Sequence, residues 1–162
     1  MSDIVHDRYD DLYLRKILRD TRTIAMVGAS ANWNRPSYFA MKYLLDRGYK
    51  VIPVNPAAAG QEILGQKVYA ALEELSVKAD MVDIFRNSEA AGPITDEAIK
   101  HGAKVVWMQL GVINQAAAAR AEAAGLKVVM NRCPKIEHSR LAGTIEWHGI
   151  ASGVISSKKR VL

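Results

Sequence analysis

The sequence has only one cysteine, Cys133, among 162 residues. A single thiol excludes an internal disulfide framework and a zinc site built from several cysteines. Such sparse cysteine usage fits a reducing compartment, so we expect a cytoplasmic location. The four histidines, at positions 6, 101, 138 and 148, show no paired spacing for a metal, and we predict no metal site.

Long apolar runs are also missing. No run approaches the roughly 18 residues that span a bilayer, and the first residues lack the basic and apolar regions of a signal peptide. We therefore expect no membrane partner and no export. Hydrophobic residues make up 49% and charged residues 24% of the chain, which predicts a folded core. The length predicts about one domain, because the chain is too short to form separate cofactor and substrate domains.

The charge balance is positive, with 22 Lys and Arg against 17 Asp and Glu and a net charge of +5. This excess suits an anionic partner without specifying which one. The basic segment 158–160 raises the hypothesis of nucleic-acid binding. No platform of basic and aromatic residues supports that hypothesis, and we expect no nucleic-acid partner.

Short apolar runs alternate with segments of helical periodicity. The runs predict buried strands at 23–27, 51–54, 81–85, 105–108 and 126–130. The other segments predict helices at 7–20, 37–47, 70–75, 94–101 and 115–124. The alternation predicts an α/β fold: a doubly wound, mainly parallel, Rossmann-like sheet of five or six strands with helices on both faces. Residues 1–22 would form a helix packed on a domain of residues 23–141, and 142–162 a partly flexible tail.

The first strand-to-helix connection has the residues of a phosphate site. In open parallel sheets, ligands bind at the carboxyl ends of strands, near the point where the strand order reverses. Gly28 permits a tight turn, Ser30 and Ser37 supply hydroxyls, and Arg35 adds a positive charge at the start of a helix. The alternative is an ordinary connection with a helix-capping serine.

The same connection does not match the dinucleotide fingerprint G-x-G-x-x-G. In that register the chain has Gly28, Ser30 and Trp33, so only the first glycine is present. The second strand ends in Asn55 and Pro56 instead of the acidic residue that holds a ribose diol. A nicotinamide oxidoreductase is therefore the second hypothesis.

Seven short motifs, taken in order, carry a family resemblance. They are VGAS at 27–30, RPSY at 35–38, GYKVIPVNP at 48–56, ILG at 63–65, DIFR at 83–86, WMQLGV at 107–112 and NRCPKIEH at 131–138. Together they resemble the small stand-alone CoA-binding proteins, which are similar to the CoA-binding domain of the succinyl-CoA synthetase α subunit. The resemblance extends from about Thr23 to Leu141 and implies a Rossmann-like domain that binds coenzyme A.

The resemblance implies a set of ligand-binding residues. The pantetheine-diphosphate portion would contact Gly28, Ala29 and Ser30, with Arg35, Pro36 and Ser37 beside it, and the adenosine would be bordered by Asn55 and Pro56. A wall and a charge would come from Phe85 and Arg86. The ligand would be flanked by Gln109, Leu110 and Gly111, and the set is completed by Asn131 and Cys133. In the synthetase pattern a lysine follows soon after the proline that ends the second strand, whereas residues 57–59 of this chain are alanines. The contact to the 3′-phosphate would therefore fall to Arg86 or Arg35.

Simpler interpretations remain open for several of these residues. Phe85 fits a plain core position, Arg86 a solvated strand end, and Gly111 a turn that needs a positive φ. Cys133 is followed by Lys135 and His138, which raises the hypothesis of a thiol nucleophile or a mixed disulfide with CoA. A small buried side chain is the alternative.

The leading functional hypothesis is a binding module for CoA or an acyl-CoA. The resemblance covers only the CoA-binding part of the synthetase, without the domain that carries the phosphorylated histidine, so we predict no catalytic residues. The alternatives are an NAD(P)-dependent oxidoreductase and an acyl-CoA processing enzyme that needs a partner subunit. A protein partner or a second copy of the chain also remains open.

Overall fold

The computed structural model describes residues 4–147, with side chains up to Ala142. The described residues contain a parallel sheet of five strands, which are β1 (Thr23–Val27), β2 (Lys50–Val54), β5 (Met81–Ile84), β6 (Val105–Met108) and β7 (Lys127–Val129). Their order across the sheet is β2–β1–β5–β6–β7. The predicted parallel sheet of short buried strands is confirmed.

A separate two-stranded antiparallel hairpin consists of β3 (Glu62–Ile63) and β4 (Gln66–Lys67). Leu64 and Gly65 connect its strands, with φ values of 51° and 79°. Two consecutive positive φ values are typical of the tight hairpin turns that match the twist of the strands. The sequence pattern did not predict this hairpin, because strands of two residues carry no periodicity.

Within the described residues, helices cover both faces of the sheet, which confirms that part of the predicted fold. They are α1 (Asp11–Asp20), α2 (Pro36–Asp46), α3 (Ser88–His101), α4 (Gln115–Ala123) and α5 (Pro134–Trp147). The alanine-rich buried faces of α3 and α4 pack on one side of the sheet. Helices α1, α2 and α5 pack on the other side, around the fully buried Trp107 and Met41. None of the described helices is long and apolar enough to cross a membrane.

The strand order reverses between β1 and β5. From β1 the chain moves outward to β2 and then crosses back to β5, β6 and β7 on the other side of β1. Adjacent connections therefore diverge from the carboxyl ends of β1 and β5 and leave a crevice there, which is where open α/β sheets bind ligands.

Helix α1 and the residues before it cover the outer edge of β7. Backbone N–H groups of Val128 and Met130 donate to the hydroxyls of Tyr13 and Tyr9, at 3.1 and 2.7 Å. The Tyr13 hydroxyl in turn donates to the Val128 carbonyl at 2.9 Å. These bonds satisfy edge groups that could otherwise pair with another chain. Burial raises the pKa of both tyrosines to about 12, so both hydroxyls keep their protons.

Two predicted helices start several residues from the predicted position. Helix α1 starts at Asp11 instead of Asp7, because the Asp10 carboxylate accepts from the Leu12 amide and caps the helix there. Helix α3 starts at Ser88 instead of residue 94. Asn87 caps it by accepting from the Ala90 amide, and the helix continues through Pro93, which the sequence pattern favoured as a boundary.

The predicted helix at 70–75 is wrong. This segment forms one 3-10 turn, Leu72–Glu74, with Leu72 buried beneath it. Six residues bury too little to sustain an α-helix.

Helix α5 was not among the predicted helices. Its buried face carries Glu137 and His138 besides Leu141, so hydrophobic periodicity is faint. The predicted flexible tail at 142–162 lies largely outside the described residues, which end at 147.

Candidate functional site

An open cleft of about 700 Å³ lies at the carboxyl ends of the strands. Residues that follow β1, β2, β5, β6 and β7 all reach it, together with the first turns of α2 and α5. Its lining consists of Gly28, Ser30, Arg35, Pro36, Ser37, Phe39, Asn55, Phe85, Arg86, Gln109, Leu110, Val112, Cys133, Lys135 and Ile136. The cleft thus lies over the reversal between β1 and β5.

Gly28 brings two neighbouring strand ends into close contact. Its φ is 91°, and a Cβ at this position would lie 2.9 Å from the Phe85 carbonyl carbon and closer still to its oxygen. Both the backbone conformation and the available space therefore require glycine. The β1 connection can then turn sharply beside Phe85 and Arg86.

The β1 connection is held by polar side chains. The Asn55 carboxamide donates to the Ala29 carbonyl at 2.9 Å and accepts from the Ala57 amide at 3.0 Å. The Ser30 hydroxyl accepts from the Asn32 amide at 3.1 Å. Asn55 thus joins the ends of β1 and β2 and fixes the loop that begins the cleft.

Three cations and no acidic residue line the cleft. Arg35 precedes α2, Arg86 follows β5, and Lys135 lies in the first turn of α5. Among the side chains that the structure describes, those of residues 4–142, neither Arg35 nor Arg86 has an ion-pair partner. Unpaired guanidinium groups beside the start of a helix are suited to an anion, and their fork geometry matches a phosphate or a carboxylate.

The loop after β6 is cross-linked to its neighbours. The Gly111 amide donates to the Asn131 side chain at 2.8 Å, and the Ile113 amide donates to the Ser88 hydroxyl at 2.9 Å. Asn131 itself has a φ of 58°. These bonds set the position of Gln109 and Leu110 at the cleft wall.

Gln109 is 9% exposed, and its Oε1 atom has no hydrogen-bond donor within the described part of the chain. Buried polar atoms are nearly always paired, so an unpaired acceptor in a cleft wall favours a donor from a ligand or water. Cys133, 8% exposed, also lines the cleft and directly precedes α5.

Two buried titratable groups flank the cleft region. Burial raises the pKa of Asp83, on β5, well above its usual range, because the fully buried carboxyl has no partner among the described residues. Burial, with the positive charge of Arg47, lowers the pKa of His138 to about 4. The His138 ring is hydrogen-bonded through Nδ1 to the Tyr43 hydroxyl at 2.9 Å, so it joins α5 to α2 as a neutral group.

Most of the predicted site residues lie together in the cleft. Four do not line it: Ala29, Pro56, Gly111 and Asn131. Ala29 is buried, Pro56 is exposed in a 3-10 turn, and Gly111 and Asn131 form the cross-link described above.

Four lining residues were not predicted: Phe39, Val112, Lys135 and Ile136. Lys135 and Ile136 belong to the first turn of α5, a helix that the sequence pattern did not predict. The NRCPKIEH motif contained both residues, and its position just after the last strand was the signal that could have placed them.

Comparison with known proteins connects this geometry to a family. The model of a family described as CoA binding domain matches residues 22–139, most of the chain. The chain belongs to the CoA-binding domain family. The match includes all five strands of the parallel sheet and every residue that lines the cleft.

Relatives of this chain include both small proteins and larger ones. The Bacillus subtilis protein YneT is 35% identical over 126 residues, which cover 78% of this chain and 92% of YneT. A solved structure described as a hypothetical protein from Pyrococcus horikoshii is 41% identical, with a TM-score of 0.81, over 88% of this chain and all of that one.

The α subunit of an ADP-forming acetate–CoA ligase from Pyrococcus furiosus represents the larger class. It is 33% identical over 93 residues, which cover 55% of this chain but only 20% of the ligase subunit. The CoA-binding domain therefore occurs both as a small protein and as a part of a larger one.

Proposed function

We propose that this protein binds coenzyme A or an acyl-CoA in the cleft at the strand ends, as a cytoplasmic binding module without catalytic activity of its own. Family membership supports CoA as the ligand. The single cysteine supports a reducing, cytoplasmic compartment. The small size of YneT, nearly all of which matches this chain, supports a stand-alone module.

The observation that carries this proposal is the charge of the cleft. Of the side chains described in residues 4–142, three cations and no acidic group line it, and none forms an ion pair with Arg35 or Arg86. CoA carries a diphosphate and a 3′-phosphate, so several separated cations are matched by several separated anions. The diphosphate would lie at the β1 connection, beside the start of α2.

The same geometry disfavours a nicotinamide dinucleotide. Asn55 stands where a dinucleotide site has the acidic residue for the ribose diol, and its carboxamide is already bonded to the Ala29 carbonyl.

Thermal denaturation of the full chain with and without ligands tests the proposal. CoA is expected to raise the Tm in a concentration-dependent manner, because a ligand that binds only the folded state stabilises it. NAD and NADP are the controls and should leave the Tm unchanged. Equal shifts with all three, or no shift with CoA, would reject CoA binding, and turnover of acyl-CoA by the pure protein would reject the non-catalytic role.

A further inference from the structure

The topology fixes the order in which side chains meet a ligand along the cleft. Crossing the sheet, the cleft passes Asn55 after β2, Gly28 after β1, Arg86 after β5, Gln109 after β6 and Cys133 after β7. Parallel strands lie about 4.8 Å apart, so β1 and β7 are separated by about 14 Å across three spacings. This order lets each part of a long ligand be assigned to a strand.

The assignment of ligand parts rests on the proposed function, in which the diphosphate of CoA lies at the β1 connection, beside the start of α2 and Arg35. The resemblance assigns the adenosine to the Asn55 side, so the pantetheine arm would extend across β5 and β6. The arm is amide-linked and about as long as four extended residues, or about 14 Å. Its thiol would then reach the end of the cleft between β6 and β7.

The polar character of the cleft changes along this path. Gln109 offers its unpaired Oε1 in the wall beside β6, where an amide N–H of the pantetheine arm could donate to it. Beyond Gln109 the lining is mainly apolar, with Leu110, Val112, Cys133 and Ile136. Lys135, in the same turn of α5, also lines the cleft, and its ammonium lies over the Tyr43 ring, 5.9 Å from the ring centre.

Two of these apolar side chains are unusually exposed. Leu110 and Ile136 are each 50% exposed, although both line a cleft. Single exposed apolar side chains are normal on a surface, but several that line one groove mark a ligand-binding surface. The groove is continuous with the cationic part of the cleft, so one ligand with a charged and an apolar end fits both.

We propose that the preferred ligand is a CoA thioester with an uncharged aliphatic acyl group, whose chain packs on Leu110 and Ile136. The wall formed by these two residues determines specificity, whereas the cations near β1 and β5 hold the CoA portion. Free CoA therefore leaves the apolar wall uncovered and binds less tightly than a short-chain acyl-CoA.

Calorimetric titration of the full chain with CoA, acetyl-CoA, butyryl-CoA, octanoyl-CoA and succinyl-CoA tests this specificity. A fully buried methylene changes affinity by about fourfold. Because the groove is open, we expect about two- to fourfold tighter binding per methylene between acetyl-CoA and butyryl-CoA. Succinyl-CoA, with a charged end, should bind less tightly than butyryl-CoA.

The variants Leu110→Ser and Ile136→Ser should reduce this dependence on chain length. Leu12→Ser is the matched control, because Leu12 is 67% exposed on α1 and does not line the cleft. Equal affinities across the acyl series, tighter binding of succinyl-CoA than butyryl-CoA, or an unchanged chain-length dependence in both variants would overturn the acyl proposal. If free CoA and every thioester failed to bind, the proposed function itself would fail.

Discussion

Replacing either of the two unpaired guanidinium groups of the cleft should weaken CoA binding far more than removing a positive charge elsewhere on the surface. The variants are Arg35→Gln and Arg86→Gln, which keep a long polar side chain and remove one positive charge each. Both arginines line the cleft, and neither has an ion-pair partner among the described side chains of residues 4–142. Their removal therefore leaves no carboxylate of the described chain unpaired.

The magnitude follows from the exposure of the two side chains. Hydrogen bonds to charged groups contribute about 1.5–3 kcal/mol, whereas solvent-exposed ion pairs contribute about 0.2–1 kcal/mol. Both arginines are exposed in an open cleft, so an intermediate value of about 1–2 kcal/mol each is expected. This corresponds to about 5- to 30-fold weaker CoA binding per variant.

Calorimetric titration with CoA at fixed ionic strength is the assay. Lys42→Gln is the matched control, because it removes the same charge from α2, where Lys42 pairs with Asp46 at 3.1 Å outside the cleft. Thermal melts establish that each variant is folded. If both arginine variants bound CoA within twofold of the wild type, or Lys42→Gln weakened binding as much as they do, the reasoning would be refuted.

Three further predictions concern the framework of the site. Gly28→Ala should lower the Tm more than Gly48→Ala, since both glycines have φ above 90° but only Gly28 also lacks space for a Cβ; similar losses would contradict this steric reason. Asp83→Asn should remove a pH-dependent loss of stability. Because burial raises the pKa of Asp83 in the folded state, the unfolded chain releases this proton at a lower pH than the folded protein does. The free energy of unfolding of the wild type should therefore fall by up to about 1.4 kcal/mol per pH unit, from pH about 4 up to the pKa of the folded state. Parallel curves of unfolding free energy against pH for the two proteins would show that this carboxyl is not the cause. Tyr13→Phe should destabilise the fold by about 1–3 kcal/mol in urea denaturation, because it leaves the Val128 edge groups unpaired, and an unchanged midpoint would argue against that role.

The sequence was most informative where a structural requirement leaves a regular pattern. Buried parallel strands are continuous apolar runs, so all five strands of the sheet could be predicted to within one residue at each end. The glycine after β1 marked the sharp turn that starts the cleft, because its neighbours in a parallel sheet leave no space for a side chain.

Helix α5 could not be predicted from periodicity, because its buried face contains Glu137 and His138. Polar residues at buried positions depend on partners from distant parts of the chain, such as Tyr43 for His138. As a result, the contribution of Lys135 and Ile136 to the cleft was not anticipated.

The sequence also could not separate ligand-facing residues from those that support them. Asn131 and Gly111 occur in the matched motifs beside lining residues, but in the structure they bond to each other and do not line the cleft. Both kinds of residue lie at strand ends, so position along the chain does not distinguish their roles.

A crystal structure of the protein bound to CoA is the most direct test of binding in the cleft. We expect the diphosphate at the β1 connection near Ser30, within hydrogen-bonding distance of the Arg35 or Arg86 guanidinium, and the thiol beyond Gln109 towards β7. CoA bound outside the cleft, or lying in it with its thiol over β2, would refute this binding mode.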